Sequence, residues 1–127
     1  MKELKFLFCE TCKKMVVVVD DTPVPAMCCG KKMTVLEAGT TDAAVEKHVP
    51  VAEINGNELL VKVGSVEHPM TEGHHIAHIA VLFDDDSFAL KKLDHVGKPE
   101  AVFPLGSAKP VAVYEYCNLH GLWKLEL

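Results

Sequence analysis

Apolar residues recur with a period of two in several short stretches of the chain. In "ELLVKVGSV" they alternate at Leu59, Val61 and Val63, and in "LWKLEL" at Trp123, Leu125 and Leu127. Successive side chains of an extended chain point to opposite faces, so this spacing predicts half-buried strands. "HIAHIAVLF" is a longer apolar run, suited to a buried strand. "SFALKKL", "PEAVFPL" and "PVAVYEYC" add further short β-segments, separated by the turn signals "DDDS", "VGKPE" and "GSAKP". No stretch offers a convincing amphipathic helix. The pattern predicts an all-β protein whose larger part is an antiparallel sandwich.

The first 36 or so residues follow a different grammar. They hold four of the five cysteines and the turn-rich "DDTPVPAMCCG", whereas all seven histidines lie beyond them. "LEAGTTDAAVEKHVP" reads as a connection with little periodicity. A boundary is therefore expected near Ala38, giving a small unit at 1–37 and a larger one at 38–127. A chain of 127 residues accommodates both. The net charge of −5 comes without basic clusters, which argues against a nucleic-acid partner. "MKELKFLFCETC" is broken by charges and the "MVVVV" run is short, so neither a signal-peptide core nor a membrane span is expected. The compartment expected is the cytoplasm, where thiols stay reduced and spaced cysteines bind metal rather than form disulfides.

"CETC" places Cys9 and Cys12 on one tight loop, and Cys28 and Cys29 follow after fifteen intervening residues. Four thiolates suit a tetrahedral iron or zinc site. The adjacency of Cys28 and Cys29 is unusual, because neighbours on an extended chain face opposite ways. Both can reach one ion only if the backbone bends there, with Gly30 easing the turn.

Cys117 is left over. In "CNLHGLW" it stands three residues before His120, a spacing that lets both reach one ion from a single turn. His48, His68 and His74 complete a possible set, at strand edges or in loops. Proline stiffens two of those positions, in "KHVP" and "EHPM". His75, His78 and His95 read as surface or hydrogen-bonded residues. The residues alone do not select four ligands among seven histidines.

"CETC…CCG", "EKHVP", "GSVEHPMTEGHHI" and "CNLHGLWK", in this order over nearly the whole chain, resemble the superoxide reductase family, specifically its two-iron class, the desulfoferrodoxins. The resemblance implies a desulforedoxin-like first domain with an Fe(Cys)4 centre held by Cys9, Cys12, Cys28 and Cys29. It implies an immunoglobulin-like second domain with a catalytic iron held by His48, His68, His74 and His120 in the plane and Cys117 on the axis. The implied activity is one-electron reduction of superoxide to hydrogen peroxide at the position opposite the sulfur. Lys47 would then offer a positive charge near that position, and Glu46 would occupy it in the resting ferric form. Rubredoxin or a similar donor and a homodimer are the implied partners. The sequence departs from the family pattern at Lys13, where glycine is usual, and at Gly73, His75 and His78.

Three other readings predict different behaviour. A pure electron carrier would have a closed second site. A zinc-stabilised binding module would be colourless. A nucleophilic cysteine enzyme would leave Cys117 open to alkylation. For Glu46 and Lys47 taken without the resemblance, a solvated surface pair is the ordinary expectation.

Overall fold

The structure, a computed structural model, describes residues 3–40 and 42–127. It is almost entirely β and divides into two compact units, 1–37 and 38–127. Among the described residues no helix is long and apolar enough to cross a membrane.

In the smaller unit, β1 (Phe6–Phe8) pairs antiparallel with both β2 (Met15–Val17) and β5 (Thr34–Val35). A separate hairpin joins β3 (Met27–Cys28) to β4 (Lys31–Lys32) through the two-residue loop Cys29–Gly30. Both loop residues have positive φ, 52° and 74°, the pattern of the primed hairpin turns that match strand twist. The bend expected at the cysteine pair therefore begins at Cys29 itself. Lys13 also takes a left-handed conformation, with φ of 68°, and its amide donates to the Cys9 carbonyl at 2.8 Å. The turn that glycine usually makes is thus kept by a lysine.

The larger unit is a sandwich of two antiparallel sheets. One has the order β10 (Glu100–Pro104), β7 (Glu58–Val63), β6 (Pro50–Asn55). The other has the order β12 (Gly121–Glu126), β11 (Pro110–Cys117), β8 (Ile76–Phe83), β9 (Phe88–Lys92). Three strands facing four is the immunoglobulin-like arrangement. Leu59, Val61 and Val63 of β7, Phe103 of β10, Ile79 and Val81 of β8 and Val113 of β11 fill the space between the sheets. Cys117 is fully buried in this cluster, on the face of β11 that Val113 occupies. Beside it the ladder slips: Tyr116 pairs with His78 but Cys117 pairs with Ile76, so β8 carries one extra residue. Such a bulge resets the side-chain alternation next to a site. Ile76 and Ile79 both face inward while His78 is turned away.

Two elements differ from the pattern-based reading. The connection "LEAGTTDAAVEKHVP" contains a single helical turn, α1 (Val45–His48), closed by Val49 N–H donating to the Val45 carbonyl at 2.9 Å. One turn is too short to show a helical period. Next, "PVAEIN" forms β6, an edge strand whose Val51, Glu53, Ile54 and Asn55 are exposed, so no clean alternation marks it. Proline at its first position is compatible with an edge. Leu127 lies past the end of β12 and is exposed, whereas Trp123 is buried.

Candidate metal centres

Cys9, Cys12, Cys28 and Cys29 come together in the smaller unit, with their sulfur atoms within 4.8 Å of one another. Cys9 leads the loop after β1; Cys28 ends β3 and Cys29 starts the turn. The Cys12 and Cys28 sulfurs are 3.6 Å apart. Metal–sulfur bonds of about 2.3 Å put tetrahedral corners roughly 3.8 Å apart, so the spacing fits one ion. The electrostatics point the same way. The Cys12 amide, 3.4 Å from the Cys9 sulfur, is the main reason the Cys9 thiol is held down at about 6. Cys28 is pushed up to about 12 and Cys29 is also raised, chiefly by sharing hydrogen bonds with the Cys12 and Cys9 sulfurs. One thiolate at this spacing resists the ionisation of its neighbours. A central cation would remove that conflict.

In the larger unit His48, His68, His74, Cys117 and His120 bring five donor atoms within 4.8 Å of one another. The four imidazoles form a square. His48–His68, His68–His74, His74–His120 and His48–His120 are edge-on neighbours at 4.6, 4.6, 5.0 and 4.9 Å. His48 and His74 lie across the diagonal, 6.5 Å apart. His48 ends α1, His68 and His74 sit in the loop between β7 and β8, and Cys117 and His120 flank the β11–β12 turn.

The outer ring nitrogens fix the tautomers. His48 Nδ1–H donates to the Ala44 carbonyl and His68 Nδ1–H to the Pro69 carbonyl, each at 2.7 Å. A carbonyl only accepts, so the Nε2 atoms of the two neutral rings carry lone pairs. Those two atoms face each other at 3.1 Å, and His48 Nε2 is also 3.1 Å from His120 Nδ1. No hydrogen bond joins two lone pairs. Four nitrogens about 2.1 Å from a common ion would stand roughly 3.0 Å from their neighbours, which is the spacing found. His74 Nε2 is buried with no hydrogen-bond partner among the described residues. Protonation is a poor alternative. Burial pushes His68 down to about 4 and lowers His48 and His74 as well. Burial raises the Cys117 thiol, opposed by backbone hydrogen bonds from Leu119 and His120. The site fits a cation that accepts four imidazoles and one thiolate.

Lys47 is half-buried and Glu46 exposed on the turn before His48. The Lys47 charge lowers both His48 and His74, so it acts on the square of rings; Glu46 opposes it at His48. The remaining histidines lie outside the group. His75 Nδ1 donates to the Thr71 and Glu72 carbonyls, His78 stacks on Tyr116 at 5.4 Å, and His95 neighbours His75. In the sequence Trp123 stands in the alternating "LWKLEL" and in "CNLHGLWK", and neither pattern gives it a role at the site. Its ring stacks on His48 at 5.0 Å and its Nε1–H donates to the His120 carbonyl at 3.0 Å, bracing two members of the square. The Ala44 and Pro69 carbonyls leave no trace in a sequence, because every residue has one.

Known proteins resemble this chain. The family model described as Desulfoferrodoxin matches residues 40–126. The desulfoferrodoxin of Syntrophotalea carbinolica is 45% identical over 125 residues, 98% of each chain. The superoxide reductase of Thermococcus kodakarensis is 37% identical over 99 residues, 65% of this chain and 86% of that one. The crystal structure of the superoxide reductase from Treponema pallidum superposes with a TM-score of 0.83 at 36% identity, covering 98% of this chain and 100% of that one. The chain belongs to the desulfoferrodoxin family and is an oxidoreductase with two groups able to hold metal, one of four cysteines and one of four histidines and a cysteine.

Proposed function

We propose that the protein is a superoxide reductase, catalysing superoxide + one electron + two protons → hydrogen peroxide. One observation carries this reading: four imidazole nitrogens and one cysteine sulfur converge on a point where the lone pairs of His48 and His68 face each other at 3.1 Å. An ion held by these five donors would have room for a small anion as well. Iron at this point would supply the electron by cycling between its ferrous and ferric states. His48, His68, His74, His120 and Cys117 would hold it there, and Cys9, Cys12, Cys28 and Cys29 would hold a second iron. In this reading residues 1–37 form the desulforedoxin-like domain and 38–127 the superoxide reductase domain.

The surrounding residues act through charge and protons. Lys47 offsets the net charge of −5, attracts the anion and supplies a positive, proton-bearing group beside it. Glu46 would supply a carboxylate to that place in the absence of substrate. Nδ1–H of His48 and of His68 stay committed to carbonyls, which keeps both Nε2 atoms aimed inward. The single electron comes from an external donor such as rubredoxin, and the working form is a cytoplasmic homodimer.

Metal analysis combined with an optical spectrum of the oxidised protein tests the reading. Two irons per chain and two sets of visible bands, of which azide or cyanide shifts only one, are the expected result. Stoichiometric zinc with no colour would favour a binding module. Two irons whose bands both ignore azide and cyanide would favour a closed electron carrier.

A further inference from the structure

His74 reaches the square of imidazoles from residues 70–75, a stretch without regular structure, whereas Cys117 and His120 come from the β11–β12 turn. The two halves meet at Asn118, between Cys117 and His120 in sequence. Asn118 N–H donates to the His75 carbonyl at 3.2 Å. Its side-chain Oδ1 accepts the His75 N–H at 2.8 Å, and its Nδ2 donates to the Gly73 carbonyl at 3.0 Å. One residue thus bonds to both chain neighbours of His74. Within its own loop His74 is tied to Thr71, whose Oγ1 accepts the His74 N–H at 3.1 Å, but that bond moves with the loop. At the far end of the ring, Nε2 has no hydrogen-bond partner among the described residues to fix it.

We propose that Asn118 is a positioning residue that clasps the His74 loop to the Cys117–His120 turn, setting the second centre in register before metal arrives. The inference rests on the reading of that group as a metal centre. The chemistry suits asparagine, which offers an acceptor and a donor from one short side chain. Aspartate could accept the His75 N–H but would turn a carboxylate oxygen toward the Gly73 carbonyl. Alanine could do neither. The clasp holds the backbone of a ligand rather than the ligand atom, so its loss loosens the site without emptying it. Groups supporting metal ligands in this way are worth about 10- to 100-fold in affinity, and solvent exposure of Asn118 places it at the low end.

The test uses the full-length protein loaded with iron and challenged with a chelator, each centre followed by its own optical bands. Asn118→Ala should lose iron from the second centre about tenfold faster than wild type, with the four-cysteine centre unchanged. Asn118→Asp should fall between them. In metal-free protein the His75 amide should be protected from hydrogen exchange in wild type and exchange about tenfold faster in Asn118→Ala. Equal iron release from wild type and both variants, or equal exchange at His75, would overturn the clasp. If Asn118→Ala does not fold, Asn118→Asp decides alone, and release at the wild-type rate counts against the proposal. A wild-type protein that takes no iron at the second centre would sink the metal reading instead, and the exchange comparison would still judge the clasp.

Discussion

Gly64 lies so close under Glu46 that a Cβ on the glycine would stand 2.7 Å from the Glu46 carbonyl oxygen. It would also stand 2.8 Å from the Val49 carbonyl oxygen. Both obstacles are backbone. Val66 N–H and Ser65 Oγ–H, from the residues just after Gly64, donate to the Glu46 carbonyl at 2.9 and 3.3 Å. The turn that presents Glu46, Lys47 and His48 therefore rests on Gly64.

Gly64→Ala should displace that turn at a cost of about 1–3 kcal/mol and lower iron at the second centre several-fold, leaving the four-cysteine centre loaded. Iron analysis alongside the optical bands checks this. Full iron at both centres would mean that α1 shifts freely and that Gly64 does not set the place of His48.

His74→Ala should lower iron content or activity at the second centre by tenfold or more, because it removes one corner of the square. His75→Ala should change either by less than about twofold, since His75 Nδ1 is committed to the Thr71 and Glu72 carbonyls. Metal analysis of the two variants side by side is sufficient. The reverse ranking would transfer the ligand role to His75.

Lys47→Ala should slow the second-order reaction with superoxide roughly tenfold, with iron content and both spectra nearly unchanged. Attraction of an anion is screened over about 10 Å at 0.1 M salt, so the wild-type rate should fall as ionic strength rises and the variant rate should fall much less. Lys47→Arg should recover part of the rate. Stopped-flow kinetics across a salt series reads all three. A variant as fast and as salt-sensitive as wild type would make Lys47 an ordinary surface residue.

Much of the molecule could be read along the chain because two local signals are strong. Period-two alternation marks strands with one face in the core, as in β7. Cysteine and histidine spacing marks loops able to chelate, as in "CETC" and "CNLH". What escaped has no local signature. β6 lies at a sheet edge and buries too little to alternate, and α1 is a single turn. The selection of His74 over His75 depends on which way one loop residue faces, and the loop's hydrogen bond to Asn118 comes from 43 residues away. The carbonyls of Ala44 and Pro69, which fix two tautomers, belong to backbone that every residue shares.

Acid should weaken the larger unit partly through His78. Burial, with Lys92 adding to it, pushes this imidazole down to about 4, against 6.5 in the unfolded chain. Above pH 6.5 both states are neutral there and the group has no effect. As pH falls from 6.5 toward 4 the unfolded chain takes up a proton that the folded one refuses, so stability is lost, by up to about 2 kcal/mol at pH 5. Urea unfolding followed by Trp123 fluorescence should show His78→Phe losing less stability than wild type between pH 7 and pH 5. Equal losses would show that His78 takes up its proton in the folded state.

The stoichiometry of superoxide consumption by pre-reduced protein under anaerobic conditions tests the proposed reaction most directly. One-electron reduction consumes two protons and forms one hydrogen peroxide for each superoxide, with no dioxygen. That ratio is expected of wild type and should disappear in Cys117→Ser, where a hard oxygen replaces the soft sulfur donor. Half a peroxide per superoxide, accompanied by dioxygen, would mean dismutation and would contradict the assignment.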